Sequence, residues 1–506
     1  MKNSLGRLIP DGMIPFQGTQ AIIKQNQRKI IHKVMTHEGI KPVFHTLDEL
    51  FSFINVNNGM TLSFHHHLRN GDGVLNLIVD HLDKTDLNDL TFAPSAIFPV
   101  HEPLAKLIKK GQVTGIVTNY LNGPVAKVIE EGYLKKLLVM DTHGGRPRAI
   151  ESGELPIDVA FIAAPAVDPY GNANGIEGKA ACGTLGYAFP DLWYAKKKVL
   201  ITDHLIPTLK KIDLQGIYVD AILVVDSIGD PKGIQSGTTK PTRDPIQLKI
   251  AKQTARLMDE LGMIKNNMSF QTGAGGTSLA VAESLKTIMK DRHIKGSFAS
   301  GGITNFLVDM HEQGYFDHLY DVQCFDLEAI KSYGRNPNHH LMDASTYGNP
   351  YDQPMVNKLD VVILGATEID LDFNVNVTTD SHGHIMGGSG GHSDTAEGAK
   401  VTIITTNLTK SRLSMVKEHV TTITTPGDSI DILVTERGIA INPKRLDLIE
   451  RLKHSTLPIT TIDCLFNKAY QMTGIPKPIE LGSKIIGVVR YRDGSIIDSL
   501  YQLKGD

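Results

Sequence analysis

The sequence Asp158-Val-Ala-Phe-Ile-Ala-Ala-Pro-Ala-Val-Asp-Pro-Tyr-Gly-Asn-Ala-Asn-Gly175 recurs 202 residues later as Asp360-Val-Val-Ile-Leu-Gly-Ala-Thr-Glu-Ile-Asp-Leu-Asp-Phe-Asn-Val-Asn-Val377. Six positions are identical. The same offset extends to two further pairs, Gly186 with Gly388 and Lys198 with Lys400. One register held over this distance indicates two copies of one structural unit. The crevice between two such units is a favoured place for binding a small molecule.

Weaker echoes of the repeat occur upstream of each copy, in the same order but with shifted offsets. Ser63-Phe64 aligns with Ser269-Phe270, which places residues 65–71 opposite residues 271–276. With gaps allowed, Gly115 and Glu131-Gly132-Tyr133 align with Gly296 and Gln313-Gly314-Tyr315. These echoes predict duplicated domains over residues 50–205 and 255–406.

Apolar runs of strand length alternate with helical patterns along the chain, which predicts an α/β fold. Continuous apolar runs such as 159–163 and 361–364 are typical of strands in a mainly parallel sheet, buried on both faces. Asp493-Gly494 between two apolar runs predicts a C-terminal β-hairpin. The expected organisation is an N-terminal lead (1–45), a first α/β domain (46–225), a connection (226–254) and a second α/β domain with a C-terminal extension (255–506).

The composition is that of an ordinary globular protein, with 41% hydrophobic and 21% charged residues. The 52 basic and 55 acidic residues leave a net charge of -3, and no basic patch points to nucleic acid. The three cysteines, Cys182, Cys324 and Cys464, are too far apart for a CxxC metal site or a disulfide framework, which favours a reducing compartment. Because the chain shows neither a signal core nor an apolar run of about 18 residues, we expect a cytoplasmic protein that does not enter a membrane.

Two glycine-rich loops are the first candidates for a functional site. Gln271-Thr-Gly-Ala-Gly-Gly-Thr-Ser278 lies between a predicted strand and a predicted helix, where backbone N–H groups can bind an oxyanion, a carboxylate or a thioester oxygen. It matches neither the dinucleotide fingerprint nor a P-loop, and the alternative interpretation is a tight turn. Gly387-Gly-Ser-Gly-Gly-His-Ser-Asp394 suits a phosphate or a long acyl carrier, or else forms a flexible surface loop.

Two polar segments follow predicted strands. His65, His66 and His67 alternate in direction at a strand end, so they favour a polar cleft lining over a metal site. Glu368 follows the apolar run 361–364 and either acts as a base or holds a loop. The duplicated Asp168 and Asp370 are interpreted as turn-formers that hold each Asn-x-Asn loop.

These segments together resemble the coenzyme-A-transferase superfamily and, within it, the citrate lyase alpha subunits. The resemblance rests on the motif Glu368-Ile-Asp-Leu-Asp-Phe-Asn-Val-Asn376 followed by Gly387-Gly-Ser-Gly-Gly391, on the glycine loop Gly273-Ala-Gly-Gly276 and on Val434-Thr-Glu-Arg-Gly438. It extends from Leu8 through the final hairpin. Similar folds also serve as non-catalytic binding modules in regulators, and this alternative stays open.

The resemblance implies the reaction citrate + acetyl-ACP = citryl-ACP + acetate, where ACP is the acyl carrier protein (gamma subunit) of the citrate lyase complex. No cofactor is expected on this chain, which would use the CoA-like phosphopantetheine group of the carrier, or acetyl-CoA as a surrogate. The implied partners are citrate, the carrier protein, the lyase (beta) subunit and further copies of this chain. A general acyl-CoA:carboxylate CoA-transferase and an acyl-CoA hydrolase are the alternative enzymes.

The resemblance also implies roles for individual residues. Citrate carries three carboxylates and therefore needs cations, of which arginine is the preferred partner, although an arginine more often forms a surface ion pair than a substrate contact. The predicted catalytic residues are Gly275 and Gly276 as oxyanion donors, with Glu368. The predicted citrate-binding residues are His65, His66, His67, Arg69, Arg146, Arg243 and Arg437. The predicted carrier-binding residues are Gly273, Ala274, Asn374, Asn376, Gly388, Ser389, Gly390 and Gly391.

One departure from the superfamily bears on the mechanism. Related transferases carry a nucleophilic glutamate in a segment that aligns with Phe298-Ala-Ser-Gly-Gly-Ile-Thr-Asn-Phe-Leu-Val-Asp309, and Gly301 stands at the position of that glutamate. No carboxylate lies within residues 297–306. The sequence therefore predicts direct transfer between substrates, without an acyl-enzyme intermediate at this position.

Overall fold

The computed structural model describes residues 1–19, 31–235, 242–273, 275–476 and 479–504. The first half contains α1 (Leu47–Ile54), α2 (Val74–Leu82), α3 (Leu104–Lys110), α4 (Pro124–Glu130), α5 (Gly145–Glu151) and α6 (Phe189–Tyr194). Its strands are β1 (Val43–Phe44), β2 (Thr61–Phe64), β3 (Leu90–Pro94), β4 (Val113–Thr118), β5 (Leu138–Met140), β6 (Val159–Ala163), β7 (Ala166–Val167), β8 (Ala173–Asn174), β9 (Lys197–Thr202) and β10 (Ala221–Val224).

The second half contains α7 (Pro245–Glu260), α8 (Gly276–Asp291), α9 (Asn305–Glu312), α10 (Leu327–Arg335), α11 (Ala344–Gly348), α12 (His392–Gly398), α13 (Leu446–Arg451) and α14 (Ile462–Thr473). Its strands are β11 (Ser269–Thr272), β12 (Gly296–Ile303), β13 (Phe316–Cys324), β14 (His339–Leu341), β15 (Val361–Gly365), β16 (Glu368–Asp370), β17 (Val375–Asn376), β18 (Val401–Thr405), β19 (Thr409–Lys410), β20 (Leu413–Ser414), β21 (Val416–Lys417), β22 (Ile432–Thr435), β23 (Gly438–Ile441), β24 (Ile459–Thr460), β25 (Leu481–Arg490) and β26 (Ile496–Leu503).

Two large sheets with the same internal order confirm the α/β fold and the duplication. The first sheet has the order β1-β10-β9-β6-β2-β3-β4-β5-β25-β26, and the second has β14-β13-β12-β11-β15-β18-β22-β23-β24. Read from opposite ends, β10-β9-β6-β2-β3-β4-β5 repeats as β22-β18-β15-β11-β12-β13-β14, with every neighbouring pair parallel. The central strands β6 and β15 are the quoted repeats, and their apolar residues are buried in the core.

The strand register corrects three details of the predicted alignment. Val159 pairs with Leu62, whereas its equivalent Val361 pairs with Phe270, so Thr61 and not Ser63 corresponds to Ser269. Gly115 lies in β4, which is equivalent to β13, so it does not correspond to Gly296 in β12. The helix-and-loop segment before β9 is two residues shorter than that before β18, which makes Lys196, rather than Lys198, the equivalent of Lys400. Short segments with few shared residues do not reveal such insertions.

The predicted domain boundaries also change. The C-terminal hairpin β25–β26 is present as predicted, but β25 pairs in parallel with β5 and so extends the first sheet rather than the second domain. Asn3 in the N-terminal lead donates to the carbonyl oxygens of Ile496 and Ile497, which fixes the lead on the same hairpin. The predicted connection 226–254 overlaps α7, which packs against α8 of the second copy. In the described part of the chain, no helix is long and apolar enough to cross a membrane.

The conserved aspartates of the repeat hold the sheets and their loops. Asp158 accepts a hydrogen bond from the Thr61 backbone N–H, and Asp360 does the same for Ser269, over 2.8 and 2.9 Å. Each aspartate therefore ties the start of one central strand to the start of the next. Asp168 and Asp370 accept from the backbone N–H and the side-chain amide of Asn172 and Asn374, respectively, which confirms their interpretation as turn-formers.

Replacing the strand-tying carboxylate in the second sheet tests its contribution to stability. Asp360→Ala leaves the Ser269 N–H without its acceptor, and we expect the free energy of unfolding to fall by about 1–3 kcal/mol. Lys400→Ala is the matched control, because it removes only the ion pair of a largely exposed lysine with the same carboxylate. Its expected effect is about 0–1 kcal/mol. Chemical denaturation of both variants measures the difference, and equal losses contradict the assignment.

Candidate active site

Three consecutive histidines lie at the junction of the two sheets, immediately after β2. His65, His66 and His67 are all buried. Gln323, near the end of β13, donates from Nε2 to the His66 carbonyl oxygen over 2.8 Å, so the second copy holds this segment from across the junction. The carboxyl ends of parallel strands from both sheets therefore meet here, which is the usual position of a binding site in α/β proteins.

The histidines and Tyr187 form a stacked aromatic group, in which burial opposes a charge on His66, His67 and His143. His66 stacks on Tyr187 with 4.7 Å between ring centroids, and His143, which follows β5, lies 4.5 Å from Tyr187. Burial lowers the pKa values of His66 and His67 well below the usual range. Burial and the nearby charges of Arg146 and Arg69 lower the pKa of His143 to about 3. At neutral pH these imidazoles are therefore hydrogen-bonding groups rather than cations. We call His65, His66, His67, His143 and Tyr187 the histidine cluster.

Several buried polar atoms of this region have no partner among the described residues. They are Nδ1 of His65, both ring nitrogens of His67 and Oδ1 of the neighbouring Asn119. A buried polar atom without a hydrogen bond costs about 1–3 kcal/mol. Such atoms are few in native proteins, so a group of them at one junction indicates that a ligand or bound water completes the hydrogen bonds.

Arg69 adds a partly buried positive charge beside the cluster. Its guanidinium carbon lies 5.3 Å from the ring centroid of Phe98 and 4.9 Å from that of Phe325, so each copy contributes one aromatic face. Arg69 also has a left-handed backbone with φ of 52°. This conformation is uncommon outside glycine and often marks a functional position. The predicted candidates His65, His66, His67 and Arg69 are thus brought together.

Arg146, by contrast, makes contacts that stabilise the fold. It binds Asp191 through two nitrogens at 2.7 and 3.0 Å, and its NH2 group also donates to Ser63 Oγ. His65 Nε2 donates to the same carboxylate over 2.9 Å. The predicted contact of Arg146 with a substrate therefore finds no support, because a buried ion pair joins Arg146 of α5 to Asp191 of α6, and a hydrogen bond joins it to β2. The remaining predicted arginines, exposed Arg243 and half-exposed Arg437, make no described contact with the cluster.

The second glycine-rich loop is a contact between the two copies. Gly390 donates to the Asn119 carbonyl oxygen and accepts from the His143 N–H, which places the loop against the ends of β4 and β5. A Cβ on Gly391 would lie 2.2 Å from Tyr347 Oη, so a glycine is needed for this approach. Ser389 is buried and donates to Ser393 Oγ, while Gly388 packs on the Asn119 carbonyl. The predicted flexible surface loop is therefore wrong, and the loop instead borders the histidine cluster.

The first glycine-rich loop borders an open cavity. Gly275 and Gly276 stand at the N-terminus of the 16-residue helix α8 and line a cavity of about 890 Å³. The opposite wall contains Gly365 to Thr367, Thr405 to Asn407 and the apolar side chains of Met386, Leu413 and Met415. Gly273 precedes the helix, and the predicted residue Ala274 lies outside the described residues. A helix N-terminus facing a mostly apolar cavity suits a ligand with a long apolar arm and an electronegative end.

Gly301 occupies a position where no side chain fits. Its φ is 103°, and a Cβ there would lie 2.6 Å from Nε2 of the buried Gln271. Gln271 is fixed by hydrogen bonds, since it donates to Tyr347 Oη and accepts from Ser300 Oγ. Gly301 therefore leaves room for the Gln271 amide beside β12, and a larger residue at this position requires that amide to shift.

Glu368 and the Asn-x-Asn motif support a loop instead of lining the cavity. Glu368 is fully buried and accepts from Asn376 Nδ2 and from the Thr421 N–H, with Lys417 Nζ 3.7 Å away. Asn374 is bound to Asp370 and donates no described bond toward the cavity. Of the two roles predicted for Glu368, the structure favours that of a loop anchor.

One group of possible metal ligands occurs among the described residues, and it is already hydrogen-bonded. Asp321 Oδ2 accepts from His339 Nε2 over 3.0 Å and from Cys324 Sγ over 2.9 Å. Asp321 Oδ1 accepts from the Gln323 N–H. This buried group fixes the end of β13 and so positions Gln323 against the histidine segment.

Sequence reasoning missed several residues that the fold brings to the site: Asn119, His143, Tyr187, Gln271 and Tyr347. From the sequence, the segment His143-Gly-Gly-Arg146 was considered only because it contains Arg146. An imidazole followed by two glycines at a predicted strand end was the available signal. The others are single polar or aromatic residues without a motif, so only the tertiary structure identifies them.

The chain is similar to known proteins over nearly its whole length. A family model described as "Citrate lyase, alpha subunit" matches residues 41–503. The chain is 42% identical over 507 residues to the citrate lyase alpha chain of Klebsiella pneumoniae, covering 98% of this chain and 97% of that one. It is 45% identical to the citrate lyase alpha chain of Haemophilus influenzae over 91% and 92% of the two chains. A crystal structure of the alpha subunit of citrate lyase from Streptococcus mutans, in complex with citrate, superposes with a TM-score of 0.95 at 42% identity over both full chains.

The steric requirement at Gly301 can be measured. Gly301→Ala places a β-carbon against Gln271 in a backbone region that alanine avoids, and we expect a loss of about 1–3 kcal/mol in unfolding free energy. Gly334→Ala in α10 is the control, because its Cβ meets Ile176 at an ordinary 3.8 Å. It is expected to be neutral or to stabilise by up to about 1 kcal/mol. Indistinguishable denaturation curves for the two variants contradict the role assigned to Gly301.

Proposed function

Because the chain belongs to the family of citrate lyase alpha subunits, we propose that it exchanges acetyl for citryl on the thiol of an acyl carrier protein. The reaction is citrate + acetyl-ACP = citryl-ACP + acetate. The observation that carries this proposal is the junction itself, where the partly buried Arg69 and the unpaired ring nitrogens of His67 lie beside uncharged imidazoles. Such a pocket suits a polycarboxylate that reacts out of contact with water.

Citrate binding is assigned to the junction. Arg69 supplies a guanidinium held between two aromatic rings, which fixes its plane for bidentate contact with a carboxylate. The ring nitrogens of His67 are positioned to bind a second carboxylate or the hydroxyl group. Because the imidazoles are neutral, binding depends on hydrogen bonds and on one strong charge rather than on an excess of cations.

The thioester arm of the carrier is assigned to the cavity at α8. A cavity of about 890 Å³ with one mainly apolar wall accommodates a phosphopantetheine-like arm. The N–H groups of Gly275 and Gly276 would face the thioester carbonyl oxygen as negative charge develops on it. A backbone donor of this kind contributes about 3 kcal/mol to transition-state stabilisation. His392 links this cavity to the junction, since its Nε2 donates to the Gly365 carbonyl oxygen beside Gly391.

The proposed route needs no covalent enzyme intermediate. A citrate carboxylate attacks the acetyl thioester carbonyl and expels the carrier thiolate, which gives a mixed citryl–acetyl anhydride. The thiolate then attacks the citryl carbonyl of the anhydride and releases acetate. One thioester replaces another, so the step needs no nucleotide. Positioning the two reactants can supply about 7–11 kcal/mol of the barrier reduction. This chain would act with the carrier protein and the lyase subunit, and in more than one copy.

Oxygen-isotope tracing tests the route. With citrate labelled by oxygen-18 in its carboxylates and acetyl-ACP as donor, we expect one labelled oxygen to appear in acetate, because the anhydride oxygen originates from citrate. Hydroxylamine and borohydride are included to trap any enzyme-bound acyl or thioester species, and none is expected. A trapped adduct, for example on Glu368, contradicts direct transfer. Acetate formed without citrate indicates a hydrolase, and no acetate at all indicates a binding module.

A charge-removing variant tests the citrate site. Arg69→Gln is expected to lower kcat/KM for citrate by about 10–100-fold, since a buried charge-assisted hydrogen bond contributes about 1.5–3 kcal/mol. The matched control is Arg292→Gln, at the far end of α8, where an exposed arginine pairs with Asp259. Steady-state kinetics with acetyl-ACP or acetyl-CoA provide the measurement. Unchanged kinetics in Arg69→Gln remove that residue from the site.

A further inference from the structure

His143 is held at the junction by described hydrogen bonds that engage only one of its two ring nitrogens, Nδ1. It follows β5, is half-buried, and its backbone N–H donates to the Gly390 carbonyl oxygen. Asn119 Nδ2 lies 2.9 Å from His143 Nδ1. On the other side, a Cβ built on Gly390 would lie 3.3 Å from His143 Nε2, so the absent side chain leaves space beside that nitrogen.

The chemistry of Asn119 determines the tautomer of His143. The Nδ2 group of Asn119 also lies 2.9 Å from the Thr142 carbonyl oxygen, and because a carbonyl only accepts, this atom must be the amide nitrogen. Its second N–H points at His143 Nδ1, which must therefore accept. An imidazole that accepts at Nδ1 is neutral and carries its proton on Nε2.

The surroundings of the ring oppose its protonation. The titratable and charged groups that face it are Arg69 after β2, Arg146 on α5, and His66 and Tyr187. Two of these are cations, and an imidazolium would also direct a Nδ1–H against the amide N–H of Asn119. The space beside Gly390 is thus reached by one uncharged donor, the Nε2–H of His143.

We propose that His143, through its Nε2–H and as a neutral imidazole, donates a hydrogen bond to an anionic oxygen of the substrate bound beside Gly390. Asn119 is the positioning residue that fixes this tautomer. The inference rests on the proposed function and adds a catalytic group to it. The oxygen is either a citrate carboxylate or the oxyanion of the tetrahedral intermediate, and both require the same donor.

The tautomer is tested on the full chain by nitrogen-15 NMR of labelled histidines, with His143→Asn used for assignment. We expect Nε2 to be protonated and Nδ1 to be unprotonated from pH 5 to 8. In Asn119→Asp the carboxylate accepts instead of donating, so the proton is expected at Nδ1. Protonation of both nitrogens in the wild type, or of Nδ1 alone, overturns the proposal.

Kinetics test the role with a matched pair. His143→Asn keeps an acceptor for Asn119 but loses the Nε2 donor, and we expect activity to fall roughly 10²–10³-fold. His143→Gln places an amide N–H near the Nε2 position and is expected to recover part of the loss. His454→Asn, at an exposed histidine, is the unaffected control. Thermal denaturation confirms that each variant is folded.

The split between the kinetic constants distinguishes the two oxygens. A fall in kcat at constant KM for citrate assigns the bond to the oxyanion, and a rise in KM at constant kcat assigns it to a carboxylate. Unchanged constants in His143→Asn overturn the proposal. If the wild type shows no citrate-dependent acetate release, the proposed function fails. Citrate titration of the His143 Nε2 resonance then still decides whether this donor contacts the ligand, and an unmoved resonance at saturation rejects it.

Discussion

The buried carboxylate of Asp394 connects the two halves of the molecule at the candidate site. Asp394 on α12 accepts from Thr142 Oγ1 and from the Gly144 N–H, each over 2.9 Å, and Arg492 of the C-terminal hairpin lies beside it. Burial raises its pKa to about 6, against the opposing effects of Arg492 and of the two hydrogen bonds. Because Thr142 and Gly144 flank His143, and Asp394 follows the Gly387–Gly391 loop, this carboxylate also sets the spacing of the candidate site.

The duplication explains the asymmetry of the site. Thr61 and Ser269 are equivalent, so the histidines after β2 and the glycine loop after β11 are the same loop in two copies. One copy fills the carboxyl end of its sheet with hydrogen-bonding rings. The other leaves space there and presents a helix N-terminus. Two identical loops would have given either two crowded pockets or two empty ones, whereas their divergence gives one recognition surface and one cavity.

How much of the structure the sequence alone predicts depends on how far apart in the chain the residues of each pattern lie. The α/β fold, the duplication and the hairpin were predictable, because apolar runs such as 159–163 and the turn at Asp493-Gly494 are local patterns. The pairing of the hairpin with β5 was not predictable. The two strands lie more than 300 residues apart, and neither sequence identifies its partner. For the site, Arg69 and the three histidines were predicted by type and position, and the structure brings them together. The ion pair of Arg146 was not predictable, because its partner Asp191 is distant in sequence, and His143 was passed over because its proposed role depends on Asn119.

The place of the C-terminal hairpin has a consequence for biosynthesis. A ribosome completes the first α/β unit and then the whole of the second before it makes β25 and β26, which cover the β5 edge of the first sheet. Until then, the backbone N–H and C=O groups of that edge are unpaired and can form hydrogen bonds with a strand of another chain. Closure of the first sheet must therefore follow translation of nearly the whole polypeptide. The nascent chain is consequently more exposed to edge-to-edge pairing than its short helices and strands suggest.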